Sequence, residues 1–301
     1  MLNRLVFFGM TLWAACMLTS CEEPVTIDLP QHTNSAVIEG WIENGRTATV
    51  AMSISRPYYS YTSHDSLMAS IQTQAKIVVT DSNTGESEQL SLDYTEDHIF
   101  GLARMAYVGK KLKGVPGHTY LLHIENKGKV YDASTRIPSH GPQVDSVYFS
   151  RSGRSFLRIR FTDPKGEFNC YRFLTKVMDE DMSYGQVYLG TFDDLTFDGQ
   201  QLNFELVRMP LSNLFSLEYK TLEDIKNATM FKKGNVVCVK STLTDPMTKS
   251  FWFALQVDLS MANNLLVTPG VYPTNIRESE GAHVSGIWSG YYARYDTIVC
   301  R

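Results

Sequence analysis

The chain has 301 residues, 43% of them hydrophobic and 12% aromatic, with 28 Lys+Arg against 32 Asp+Glu and a formal net charge of −4. That length is enough for one large or two ordinary domains. A mildly acidic balance without long charge runs lacks the basic stripe that displaces counterions, so no nucleic acid is expected as a partner.

The first stretch carries the strongest signal. Arg4 precedes an apolar run from Leu5 to Leu18, and the small residues Thr19 and Ser20 then lead into Cys21. This is the layout of a secretory signal ending in a lipobox, so residues 1–20 are expected to be removed and Cys21 to be acylated. Each buried methylene of an acyl chain contributes about 0.8 kcal/mol, so several chains on one residue hold firmly. After Cys21 no apolar run approaches the roughly 20 residues of a membrane span, and the expected anchor is lipid alone. Loss of Arg4 takes the balance from −4 to −5. Residues 21–34, with Glu22-Glu23-Pro24 and Asp28-Leu29-Pro30, read as an extended tether from the membrane surface.

Strand signals follow. Ala36 to Glu43 is short and β-rich, and Thr47 to Ser55 alternates, with Ala48, Val50, Met52 and Ile54 on one face. An aromatic loop carries Tyr58, Tyr59 and Tyr61 beside Pro57. Ala75 to Thr80 and a return near Gln89 to Leu92 flank a turn ending at Gly85. The clearest hairpin sets Tyr120, Leu122 and Ile124 opposite Tyr131, Ala133, Thr135 and Ile137 across Asn126-Lys127-Gly128. Pro138 ends it, and Ser139 to Pro142 reads as a linker. Residues 35–138 are therefore expected to form an N-terminal β-sandwich of immunoglobulin or fibronectin type.

Residues 143–301 read as a second β-rich domain. Strands are expected at Val144–Ser150 and Phe156–Thr162, with Cys170–Val177 as partner strand of the latter. Two more lie near Gln186–Leu189 and Gln201–Val207, and another at Val236–Leu243. Short helices are expected near 221–230, opened by a Thr221/Asp224 capping box, and near 246–260. In the latter, Asp245 caps, Pro246 occupies the first turn and Met247, Phe251, Leu255 and Leu259 recur at i+4. Aromatics at Trp288, Tyr291, Tyr292 and Tyr295 mark the closing strands.

Candidate sites are few. Three cysteines remain in the mature chain, Cys170, Cys238 and Cys300; any one pair, or none, fits an oxidising compartment. The seven histidines show no zinc-ligand spacing, and no serine sits in a Gly-x-Ser-x-Gly elbow, so no metal, cofactor or catalytic residue is assigned. Asp193, Asp194 and Asp198 beside Gly199 suit either a calcium ion or a solvated hairpin. Tyr58, Tyr59, Tyr61 and Trp288 are the ligand- or partner-contact candidates, because exposed aromatics present an apolar face with a polar tip; core or cross-strand packing is the alternative for aromatics in a β-protein.

Several signatures coincide in order: Gly117 to Ile124, Gly128 to Pro138, Val144-Asp145-Ser146, Phe161 to Arg172, Phe192-Asp193, Phe197-Asp198-Gly199, and Pro273-Thr274-Asn275-Ile276 with Gly281 and Gly286. Together with the lipobox they resemble the family called domain of unknown function 4249, lipid-anchored outer-membrane proteins typical of Bacteroidetes. The resemblance implies an accessory or substrate-capturing lipoprotein beside a TonB-dependent transporter, taking an oligosaccharide, peptide or other small nutrient. It brings no catalytic residues, and Cys170 stands where the family commonly has tyrosine. The Glu22-Glu23 pair is similar to surface-export signals of such lipoproteins, while the membrane face stays undecided. A lipid-anchored hydrolase and an adhesive or structural β-module are the alternative expectations.

Overall fold

Alternation decides which way the first strand faces. In β1 (Ala36–Glu43) the small and branched residues Ala36, Ile38 and Ile42 are buried in a core, and Glu39, Trp41 and Glu43 lie on the opposite face. The computed structural model describes residues 33–56, 64–99, 103–150, 156–181, 183–209, 223, 229–261 and 272–301. β1 continues into β2 (Thr47–Ile54), α1 (His64–Ser70), β3 (Lys76–Asp81), β4 (Ser87–Gln89), β5 (Ser91–Ile99), β6 (Ala103–Lys113), β7 (Thr119–Asn126) and β8 (Lys129–Arg136). The second half supplies β9 (Gln143–Ser150), β10 (Phe156–Thr162), β11 (Cys170–Val177), β12 (Gly185–Asp193), β13 (Gln201–Leu206), β14 (Arg208–Met209), β15 (Val236–Thr244), α2 (Pro246–Met261), β16 (Ile276–Glu278) and β17 (Val284–Val299).

The fold is mainly β, with several sheets and two helices. A nine-stranded sheet runs β14-β12-β11-β15-β17-β1-β2-β6-β5. One face of it is covered by two smaller sheets. The five-stranded β16-β8-β7-β3-β4 encloses Ile38, Val50, Ile77, Leu122, Ile124 and Trp288 against β1, β2 and β17. The three-stranded β13-β10-β9 encloses Leu157, Ile159, Phe161, Tyr171, Phe173 and Val239 against β11 and β15. The expected hairpin is present as β7–β8, pairing Tyr120 with Thr135, Leu122 with Ala133 and Ile124 with Tyr131. Lys127 (φ 51°) and Gly128 (φ 80°) make its two-residue turn, where two positive φ values match the strand twist.

Two sequence expectations need correction. Cys170–Val177 is a strand but not the partner of Phe156–Thr162. β10 pairs with β9 and β13, whereas β11 pairs with β12 and β15 in the large sheet. Seven of the eight residues of β11 are buried, the pattern of a central strand covered on both faces. Next, the two halves of the chain are joined by backbone. β1 pairs in parallel with β17 from Ala36↔Val284 to Glu43↔Tyr291, so one sheet crosses the expected 138–143 boundary, and residues 34–301 form one compact unit. The helix expected near 246–260 is present as α2, with Phe251 and Leu255 of its i+4 recurrence packed at Ile287 of β17. Thr248, Phe251, Trp252 and Gln256 are buried while Met247 is exposed, because the helix lies on Ile287 and Ser289 of β17.

α2 starts as its sequence dictates. Asp245 Oδ1 accepts from the N–H groups of Met247 (2.9 Å) and Thr248 (3.0 Å), and Pro246 occupies the first turn. The helix expected near 221–230 falls largely outside the described residues. Cys170, Cys238 and Cys300 are free thiols, and burial pushes the Cys170 thiol up to about 12. Gly286 (φ 120°) allows β17 to approach β1; a Cβ there would sit 1.8 Å from the Ile38 carbonyl oxygen.

Candidate functional site

The face of the large sheet opposite the two smaller sheets, partly overlaid by α2, carries the polar chemistry. Residues at alternate positions of four adjacent strands meet there: Arg172 and Leu174 of β11, Lys240 of β15, Tyr291 and Tyr295 of β17, and Glu39, Trp41 and Glu43 of β1. Trp252 of α2 and Ser183-Tyr184 ahead of β12 close the sides of a pocket that opens to solvent. Its walls are aromatic and its floor is charged, the mixture typical of small-molecule sites.

Two sub-regions share this floor. In the first, Glu43 is 2% exposed and ion-paired with Lys240, its Oε2 accepts from the Tyr295 hydroxyl at 2.5 Å, and Arg46 Nε stands 3.9 Å away. Burial alone would raise its pKa. The Lys240 ammonium, then the hydrogen bonds from Lys240 and Tyr295, outweigh burial and hold the carboxyl below its ordinary value. Lys240 is itself ringed by Tyr184, Tyr291 and Tyr295, with its Nζ 5.6–5.8 Å from the ring centres.

The second sub-region is unpaired. The Arg172 guanidinium lies 3.6 Å from the centre of the Trp252 ring, and its Nη1 donates to the Tyr291 hydroxyl at 3.0 Å. Trp252 Nε1 donates to the same hydroxyl at 2.8 Å, so the tyrosine fixes both. Among the described residues no carboxylate forms an ion pair with Arg172, and its Nε has no hydrogen-bond partner. Glu39, 7% exposed, has its Oε2 sealed and also without a partner. Burial pushes the Glu39 pKa up to about 7, with the Arg172 charge pulling it partly back. Burial likewise raises the Tyr291 hydroxyl.

The residues singled out from sequence fall elsewhere. Cys21, Tyr58, Tyr59 and Tyr61 lie outside the described residues. Trp288 is not a surface contact: it is fully buried, its Nε1 donates to the Tyr120 carbonyl at 3.0 Å, and its ring fills the space above Gly40. The alternating aromatics of β17 divide between two faces, and Trp288 points into the sandwich. Asp193, Asp194 and Asp198 do not converge on a common point. Asp193 pairs with Lys249 at 2.5 Å, Asp194 Oδ2 accepts from Asn169 N at 2.7 Å, and Asp198 Oδ1 accepts from Gly166 N at 2.7 Å. Each organises a loop, and among the described residues no group of three or more His, Cys, Asp or Glu side chains is placed to hold a metal ion.

Sequence reasoning missed Glu39, Glu43, Arg172, Lys240 and Trp252. The available signal was the E-x-W-x-E spacing of Glu39, Trp41 and Glu43, which sets two acids and a tryptophan on one strand face. Among the described residues no helix is long and apolar enough to cross a membrane.

A family model described as Domain of unknown function (DUF4249) matches residues 22–291. A comparison with curated proteins gave no match.

Proposed function

We propose that this chain, which belongs to the DUF4249 family, is a lipid-anchored capture protein of the outer membrane that works beside a TonB-dependent transporter. The observation that carries the capture role is the aromatic-walled pocket lined by Arg172, a buried cation with no carboxylate at ion-pair distance among the described residues, and by Glu39, whose buried carboxyl has no hydrogen bond. An unpaired buried charge costs free energy in the empty protein, and a ligand of opposite charge offsets that cost. The lipobox ending at Cys21 supports the anchor. Anchoring confines the protein to a membrane surface and raises its effective concentration at a neighbouring barrel. The sequence of residues 22–34 reads as a tether, which supports reach to a neighbouring barrel, and Tyr58, Tyr59 and Tyr61 are the proposed partner contact.

The test is extraction in mild detergent through a tag placed after Arg301, followed by identification of co-eluting proteins. A barrel transporter at near-equal stoichiometry is expected, and it should be lost in Cys21→Ala, which leaves the protein unacylated. Recovery of the lipoprotein alone, with nutrient uptake unchanged in a deletion strain, contradicts the reading.

A further inference from the structure

The capture reading leaves the ligand open, and the pocket floor narrows it. Of the charged groups there, Glu43 and Lys240 neutralise each other. Arg172 is a buried cation with no matching anion among the described residues, and only its Nη1 is hydrogen-bonded. Its Nε is sealed from solvent without a partner, whereas Nη2, also without a hydrogen-bond partner, keeps some solvent exposure in a residue that lines the cavity. The same holds for Glu39, whose Oε2 is sealed and whose Oε1 is not. Both side chains are more than nine-tenths buried and line the same cavity.

We propose that this pocket binds a small organic carboxylate, held by the Arg172 guanidinium against Trp252 and bounded by Glu39, with its apolar part between Trp41 and Tyr184. A guanidinium fixed on one side by an aromatic stack and a tyrosine hydroxyl presents its free N–H groups in a set direction, the geometry that planar carboxylates match. The walls Trp41, Tyr184, Leu174, Trp252 and Tyr291 favour a flat apolar body over a strongly hydrated one. Glu39 then sets the pH dependence. The charged and titratable groups around it are Arg172 from β11, Lys240 from β15, Tyr291 from β17, Tyr184 from the segment before β12, and Glu43 on its own strand. While protonated, Glu39 donates a hydrogen bond to the bound carboxylate. Once ionised it repels the ligand and competes for Arg172.

This inference rests on the capture reading but is tested separately from it. The full chain in mild detergent is titrated with benzoate and with its uncharged counterpart benzamide, by calorimetry and by fluorescence of Trp41 and Trp252. At pH 6 benzoate is expected to bind at least about tenfold tighter than benzamide, a difference of about 1.4 kcal/mol. Its affinity should fall by about tenfold towards pH 8.5, and Glu39→Gln should flatten that profile. Arg172→Gln should abolish the preference for benzoate. Because that variant removes a buried side chain, the pH profile of the well-folded Glu39→Gln protein carries the test if Arg172→Gln does not fold. Equal binding of the two probes, no binding of benzoate at millimolar concentration, or a benzoate affinity that rises with pH overturns the proposal. Any of these results leaves co-purification with a barrel as a separate question.

Discussion

Glu39 and Glu43 sit four residues apart on the same face of β1, both almost fully buried, and their environments push them in opposite directions. Glu43 has a cation, a tyrosine hydroxyl and a nearby guanidinium, so its charge is stabilised and the sub-region is closed. Glu39 has a cation in view but no hydrogen bond, so desolvation wins and its pKa rises to about 7. Burial by itself therefore does not tell a structural carboxylate from a functional one. The distinction lies in whether its partners come from the protein. A paired buried charge is a latch, whereas an unpaired one beside an unpaired arginine is an incomplete site.

Removing a partner from the latch should produce the largest effect. Glu43→Gln leaves the Lys240 ammonium buried without its carboxylate, and urea denaturation at pH 7 should show a loss of about 3–5 kcal/mol. A loss under 1 kcal/mol would mean that Lys240 escapes to solvent and that the latch is not closed.

Glu39→Gln should act the other way, and only at higher pH. The folded pKa is raised from 4.5 to about 7, so between these values the unfolded chain binds fewer protons than the folded one and stability falls as pH rises. At about 1.4 kcal/mol per unit, the ionised carboxylate costs about 3 kcal/mol above pH 7. The glutamine variant should be more stable than the wild type by up to that amount at pH 8 and indistinguishable from it at pH 4. Equal stability at both pH values would show that Glu39 is better solvated than its burial indicates.

Tyr295→Phe sharpens the comparison with the smallest change. It deletes one hydroxyl donor to Glu43 and leaves the Lys240 pair in place. The expected cost is about 1.5 kcal/mol in the same denaturation assay, the low end for a hydrogen bond to a charged group. The Glu43 pKa should also move up, because a donor to the charged form is gone.

Much of the β-architecture was legible in local pattern, and little of the site was. The β7–β8 hairpin announces itself through Tyr120, Leu122, Ile124, Tyr131 and Ala133 at alternate positions around Lys127-Gly128, because pairing of neighbours needs only the turn and the period of two. The parallel pairing of β1 with β17 joins Ala36 to Val284, and no local pattern encodes a contact over that separation. β6 (Ala103–Lys113) was invisible because its register shifts against β2, which breaks the alternation of its buried residues Ala106, Tyr107 and Leu112. The aromatics of β17 are legible as strand residues but not as occupants of two faces: the contact candidate Trp288 belongs to the core, and Tyr291 is the one that reaches the pocket. Arg172 and Lys240 lie within the stretches of β11 and β15, with no spacing in the sequence that marks a site. Only α2, laying Trp252 over that face, turns them into a floor.

The most direct test of this account is the titration of Glu39 itself. Carboxyl-carbon NMR of protein labelled at glutamate, compared with Glu39→Gln, assigns the resonance. One glutamate is expected to titrate near pH 7, to be absent from the variant, and to shift upward with benzoate as the bound anion disfavours its ionisation. A Glu39 resonance titrating near 4.5, unmoved by benzoate, would contradict it.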